Sequence, residues 1–384
     1  VENRYDYLNL NTCRFLWKQV KFPTATDTSN TTTQVLKEGE VQGSDVAAHS
    51  TGILDIKTTI LPNADALFLT AIGKYGHELW RWTFPVDKLN QTNEMFSPLS
   101  GKATYSETEN ELTVKAKNHT FIFSKRDGQL KGVSVNNHKT SFANGPRFIG
   151  ARRADRSLDQ FYNHDDEKAK EKDRTYSEFP DAAVFTKLEV KEDGGNLIVT
   201  ANYKLGNLDK AQWTINPNGE AALDYTYNFS GVVDLIGICF DYPEDQVISK
   251  RWLGAGPYRV WQNRIHGTQY DVWENDYNDP IPGETFTYPE FKGYFDSVSW
   301  MNIRTKEGTI SLTNETPDSY IGVYQPRDGR DRLLYTLPES GISVLDVIPP
   351  VRNKVNSTDL CGPSSQPKWV NGPQTGRIIF RFME

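Results

Sequence analysis

Apolar and polar residues alternate with a period of two along most of this chain. Leu223, Tyr225, Tyr227 and Phe229 alternate with Asp224, Thr226 and Asn228, which sets a row of aromatics on one face of a strand and polar groups on the other. Trp80, Trp82 and Phe84 alternate in the same way with Arg81 and Thr83. The stretch HTFIFSKRDGQLKGVSV reads as two strands joined at Asp127-Gly128, a pair that tolerates positive φ. Apolar stripes at i, i+3, i+4 and i+7 are scarce, and nothing repeats the strand-helix units of a (β/α)₈ barrel. The pattern predicts an all-β protein.

Residues 1–86 hold several short strands between polar turns, the content of one immunoglobulin-like β-sandwich. The alternation lapses over 87–101, which includes Pro98 and Gly101, and a linker is expected there. It resumes through 102–384 to the closing GRIIFRF, so this stretch is expected to form one large double-sheet domain. The charged run NHDDEKAKEKDRTYSE at 163–178 reads as a solvated loop or short helix.

Composition narrows the function. The 384 residues include 43 Lys plus Arg against 50 Asp plus Glu, and no basic stripe interleaved with aromatics appears, so no nucleic-acid partner is expected. No run approaches the roughly 20 apolar residues of a membrane helix, and no membrane partner is expected. Cys13, Cys239 and Cys361 are odd in number and far apart, the pattern of free thiols rather than of a disulfide framework. A periplasmic or secreted setting is favoured only by the frequency of Asn, Thr and Tyr, and localisation stays open.

The stretch RWLGAGPYRVWQNR (251–264) places Gly254, Gly256 and Pro257 close together. A phosphate loop needs glycines that open a helix, and a Walker loop adds a Lys-Ser/Thr pair. Both are missing here. The remaining reading is a tight turn against a neighbour, with Pro257 ending the ladder. The six histidines form no HExxH pair, the Asn163–Glu167 run is more typical of a solvated surface than of a cation site, and no GxSxG elbow occurs. No metal or cofactor is expected. The nine tryptophans offer indole faces on which sugar C–H groups stack, although core packing competes for each of them. Trp252, Trp261 and Trp300 lie in alternating sequence and are expected in the core.

The same stretch resembles the W-x-G-R-G-P-x-E-x-Y-x-D-R motif of family two glycoside hydrolases of the β-galactosidase type. Trp252, Gly254, Gly256, Pro257 and Arg264 match, while Ala255, Arg259, Trp261 and Asn263 depart from it. KYGHELWRWTFPV (74–86) is similar to the segment that ends the family's immunoglobulin-like domain, with Gly76, His77 and Glu78 in register. The opening VENRYDYLNL resembles the start of that domain, through Asn3, Tyr5, Asp6, Asn9 and Leu10. PEFKGYFDSVSW (289–300) and GPRFIGARRADR (145–156), with Arg152, Arg153 and Asp155, are looser matches.

The resemblance implies an immunoglobulin-like β-sandwich followed by a large galactose-mutarotase-like super-sandwich. It implies the non-catalytic C-terminal region of a retaining glycoside hydrolase, inactive alone and partnered by the parent's own catalytic barrel and a β-galactoside or related carbohydrate. The departures at 259 and 263 point toward a sugar specificity other than that of a plain β-galactosidase. A late loop of the family stacks an aromatic side chain on the sugar. Its counterpart here is STDLCGPSSQPKWVNG (357–372), with Trp369, Ser365 and Gln366 as candidate substrate contacts. His77 and Glu78 are expected to fix the end of the first domain. Two alternatives remain: a stand-alone carbohydrate-binding module, and a mutarotase-like epimerase using His266 and Glu290 as acid and base.

Overall fold

In the computed structural model, residues 1–27, 32–86, 100–153, 176–276, 293–316, 318–323, 340–351 and 362–384 are described. The chain forms two compact units, Val1–Thr92 with Gln269–Val272, and Asn93–Thr268 with Trp273–Glu384. Most of the expected linker, Glu290, Asp155, Cys361 and the 163–167 run lie outside the described residues.

The smaller unit is built on a four-stranded antiparallel sheet of β1 (Arg14–Lys21), β2 (Gln34–Gln42), β3 (Ala66–Ile72) and β4 (Glu78–Pro85), in the order β2-β1-β3-β4. One face buries Phe15, Trp17, Leu69 and Ala71 against Leu10, Cys13 and Val46, with Leu54 and Ile56 packed on the cluster. Among the described residues this second layer is extended chain rather than a second sheet. Gly39 lets β2 pass over the indole of Trp17, since a Cβ there would lie 2.4 Å from the ring.

Strand β4 departs from the expected polarity. Trp82 and Phe84 are 41% and 48% exposed, whereas Arg81 lies over the Phe68 ring at 4.4 Å and pairs with Asp271 at 3.0 Å, largely out of solvent. Asp271 also accepts from Thr33 Oγ1 at 2.5 Å, and the Tyr270 carbonyl accepts from Thr83 at 3.0 Å. Period-two alternation identifies the strand but not which of its faces is covered.

The larger unit is a sandwich of two antiparallel sheets. One runs in the order Val184–Asp193, Asn196–Lys204, Leu208–Ile215, Ala221–Val233, Lys368–Met383, Gly308–Asn314, Trp300–Thr305, Val247–Gly256. The other contains Ile342–Val347, Leu235–Asp241, Ala143–Arg153, Leu130–Val135, His119–Ser124 and Glu111–Ala116 as neighbours. Aromatics from both sheets interdigitate: Phe240 meets Phe380 at 5.4 Å and Phe142 at 4.7 Å, and Trp213 meets Phe123 at 6.2 Å. Each such side chain removed from water stabilises the fold by about 1.5–3 kcal/mol.

The two hairpin strands expected around Asp127-Gly128 are present, with Gly128 at φ +73°. Trp252, Trp261 and Trp300 are buried, as their alternation predicts. A second, smaller core joins Ile149, Leu235, Cys239 and Leu345 to Val260, Trp261, Tyr294, Ile348 and Val351. This smaller core anchors the turn that follows Pro257.

Candidate functional site

The strand Val247–Gly256 ends in the glycine-rich turn, and its glycines are explained by close approach. A Cβ on Gly256 would lie 2.4 Å from Trp273 Cδ1, and one on Gly254 would lie 3.0 Å from the Val298 backbone. Trp273 Nε1 donates to the Gly254 carbonyl at 3.2 Å and Trp252 Nε1 to that of Ala255 at 3.0 Å. Two indoles therefore hold the backbone of the turn, and no helix follows it. Tyr258 is left 53% exposed. The chain then dives inward, where Trp261 packs edge-on against Tyr294 at 5.6 Å.

Deeper in the same strand, Lys250 is buried beside the Phe295 ring at 5.7 Å. Burial, reinforced by Arg259, holds its amine well below the usual lysine range against the opposing pull of Asp276 and Glu244.

Past Trp261, two amides reach the late part of the chain. Gln262 Nε2 donates to the carbonyls of Ser364 at 2.8 Å and Gln366 at 2.7 Å. Asn263 Nδ2 donates to the Val351 carbonyl at 2.7 Å and to Ser365 Oγ at 2.9 Å, and its Oδ1 accepts from Val351 N–H at 3.0 Å. The Asn263 position, legible only as a departure from an acidic motif residue, uses donor and acceptor together. A carboxylate supplies no donor for the Val351 carbonyl. Arg264, by contrast, is exposed and closes the turn through its backbone, with N–H to the Trp261 carbonyl at 2.7 Å.

The late segment held in this way starts at Gly362 (φ +93°), makes a short turn over Pro363–Ser365 and enters the strand Lys368–Met383. Ser365 has no exposed surface, so its side chain seats the turn and does not face a ligand from solvent. Gln366 is exposed, and its side chain reaches back to the Gly362 carbonyl at 3.4 Å. Trp369, expected on a loop, stands on the strand opposite Val232 with 69% of its surface exposed.

On the inward side of the neighbouring strand, Tyr227 donates to Asp346. Burial raises the Asp346 carboxyl above its ordinary range despite that bond, and raises the phenols of Tyr227 and Tyr225. Gly376 gives Tyr225 its space, since a Cβ would meet the ring at 2.3 Å. Alternation predicts these tyrosines in the core but gives no sign of the carboxyl 119 residues away that receives Tyr227.

The other sequence candidates lie elsewhere. His77, in the turn before β4, and Glu78, the first residue of that strand, are exposed; the His77 carbonyl accepts from Gly73 N–H at 2.8 Å and Gly76 takes φ +84°. His266 is exposed, and its proposed partner Glu290 is outside the described residues. Cys13 and Cys239 are buried free thiols. Among the described residues, no group of three or more His, Cys, Asp or Glu side chains is arranged to hold a metal ion.

A family model described as "Beta galactosidase small chain" matches residues 115–339, more than half of the chain. No curated protein matches the sequence. Among solved structures, a galactose 1-epimerase from Lactobacillus acidophilus NCFM is similar at 10% identity and a TM-score of 0.41, over 74% of this chain and 99% of that one. A GalM/aldose epimerase homologue from C. elegans is similar at 9% and 0.35, over 73% and 99%. A putative mutarotase from Salmonella typhimurium is similar at 8% and 0.32, over 76% and 96%.

Proposed function

The chain belongs to the β-galactosidase small chain family, and from that premise we propose that it is the non-catalytic sandwich region of a retaining, β-galactosidase-like glycoside hydrolase. In this reading it supports a catalytic barrel supplied outside this sequence and presents Trp369 to the sugar. The observation that carries the reading is the clamp of Gln262 and Asn263 on residues 351 and 364–366, which fixes the segment leading into Trp369. A side chain that recognises a ligand is effective when the backbone beneath it is already ordered, because less entropy is lost on binding. The indole supplies a flat apolar face for the C–H groups of a pyranose.

Retaining hydrolysis needs two carboxyl groups about 5–5.5 Å apart across the scissile bond. Among the described residues, the carboxyls with raised pKa have structural partners instead, Asp346 with Tyr227 and Asp296 with Ser297. The purified chain is therefore expected not to hydrolyse p-nitrophenyl β-D-galactoside. Turnover that disappears on substituting a residue within these 384 would overturn the reading.

A stand-alone carbohydrate-binding module is favoured by one feature, the exposure of Trp369 at 69% on a strand face. The two readings part on a barrel partner. Sugar affinity at full strength in the isolated chain supports the module, and affinity that appears only with the barrel present supports the hydrolase region.

A further inference from the structure

Trp369 does not stand alone on its strand. Ala221–Val233 and Lys368–Met383 pair in continuous antiparallel register, with Val232 opposite Trp369, Ser230 opposite Asn371 and Asn228 opposite Pro373. Directly opposed residues share a face, and each second residue returns to that face about 6.7 Å further along. Asn371, Pro373, Ser230 and Asn228 are all exposed, as Trp369 is. The opposite face is occupied by packing, with Phe229 at 5.0 Å from Phe179 and at 6.2 Å from Phe148.

The outward face is also ordered. Ser230 Oγ donates to Asn371 Oδ1 at 2.8 Å, and Gly372 N–H donates to Ser230 Oγ at 3.4 Å. Asn371 thus has its carbonyl oxygen engaged and its amide nitrogen available. One step beyond, Asn228 holds its place through its backbone, with N–H to the Asn207 carbonyl at 2.8 Å, which leaves its side-chain amide to solvent. The row runs from an apolar aromatic plate to one preset amide and then to a second amide.

We propose that this strand pair is an extended glycan subsite. One pyranose ring stacks on Trp369, and the following rings lie along the strands where Asn371 and Asn228 hydrogen-bond their hydroxyls. The ligand class is an oligosaccharide. An open sheet face covers only one side of each ring, so a single ring buries little surface, and contact grows with each further ring laid along the row. The inference rests on the reading of Trp369 as a sugar contact and adds to it the direction and length of the ligand.

The test is calorimetric titration of the 384-residue chain with galactose and with β-1,4-galactotetraose. The tetraose is expected to bind about 10-fold tighter or more, the equivalent of one further good contact. Trp369→Ala is expected to abolish binding of both sugars. The double substitution Asn371→Ala with Asn228→Ala, at exposed positions that leave the fold intact, is expected to bring the tetraose to within about 2-fold of galactose without changing galactose itself. Equal affinity of the unmodified chain for the two sugars, or a tetraose affinity untouched by the double substitution, overturns the subsite and leaves the Trp369 contact standing. Binding of neither sugar by the isolated chain overturns the subsite, while binding of both that survives Trp369→Ala overturns the Trp369 contact and the subsite with it.

Discussion

Asn263 and Ser365 lie 102 residues apart in sequence and share a hydrogen bond of 2.9 Å. The same amide spans Val351 through both of its polar atoms, at 2.7 and 3.0 Å. Three separate stretches of chain, the turn after Pro257, the end of the Ile342–Val347 strand region and the turn before Lys368, are therefore joined at one side chain.

Asn263→Asp keeps the acceptor and removes the donor, which sets a carboxylate against the Val351 carbonyl. Destabilisation of about 1–3 kcal/mol is expected, with faster amide exchange confined to residues 348–351 and 362–366. Arg264→Ala, one residue on at an exposed position, is expected to stay within about 0.5 kcal/mol. Denaturant midpoints and hydrogen exchange on the two variants check this, and equal effects would remove the special role of Asn263.

Gly256→Ala drives a methyl group into Trp273, whose Cδ1 lies 2.4 Å from the Cβ position. The indole must move and its bond to the Gly254 carbonyl must lengthen, at a cost of about 1–3 kcal/mol. Gly132, also inside a strand, has only the end of Lys139 at 3.6 Å. Gly132→Ala is expected to be neutral or stabilising by up to about 1 kcal/mol. Urea unfolding of the pair separates close approach from the general preference against glycine in strands.

Asp346 supplies a pH dependence. Folding raises its carboxyl pKa through burial, so the folded state favours the protonated form. The stability this group contributes is complete below its unfolded value of about 3.9 and is lost as pH rises through the raised folded value. Asp346→Asn cannot ionise and still accepts from Tyr227. The stability of this variant relative to the unmodified chain is expected to be greater at pH 7 than at pH 4, as read from denaturant midpoints at the two values. A difference independent of pH would show that Asp346 is not the titrating group.

Trp369→Ala removes a side chain that is 69% exposed, so stability is expected to change by no more than about 0.5 kcal/mol while sugar affinity is lost. Thermal melting and sugar titration on the same preparation check both halves. A large drop in melting temperature would mean that the indole is a packing residue after all.

The alternation of Leu223, Tyr225 and Tyr227 made the strand and its buried face legible, because both follow from period two alone. Trp80, Trp82 and Phe84 show the limit of that signal: the period is right, but the layer that covers a face comes from distant chain, and here it covers Arg81 more fully than Trp82. The glycine turn was legible as a turn, whereas its cause, the Trp273 ring, lies 17 residues further on in the strand Gln269–Asp276. Trp369 stood out by residue type. Its partners Ser230 and Asn371 did not, since cross-strand register is set by pairings about 140 residues apart that no local pattern encodes. The roles of Gln262 and Asn263 were hidden for the same reason, since apart from Ser365 Oγ their acceptors are backbone carbonyls that any sequence supplies.

Hydrogen exchange of the chain with and without saturating β-1,4-galactotetraose tests the central claim most directly. New protection confined to peptides covering residues 228–232 and 362–373 is the result the account predicts. Protection at any other surface, or none at a concentration where calorimetry shows the chain occupied, would contradict it.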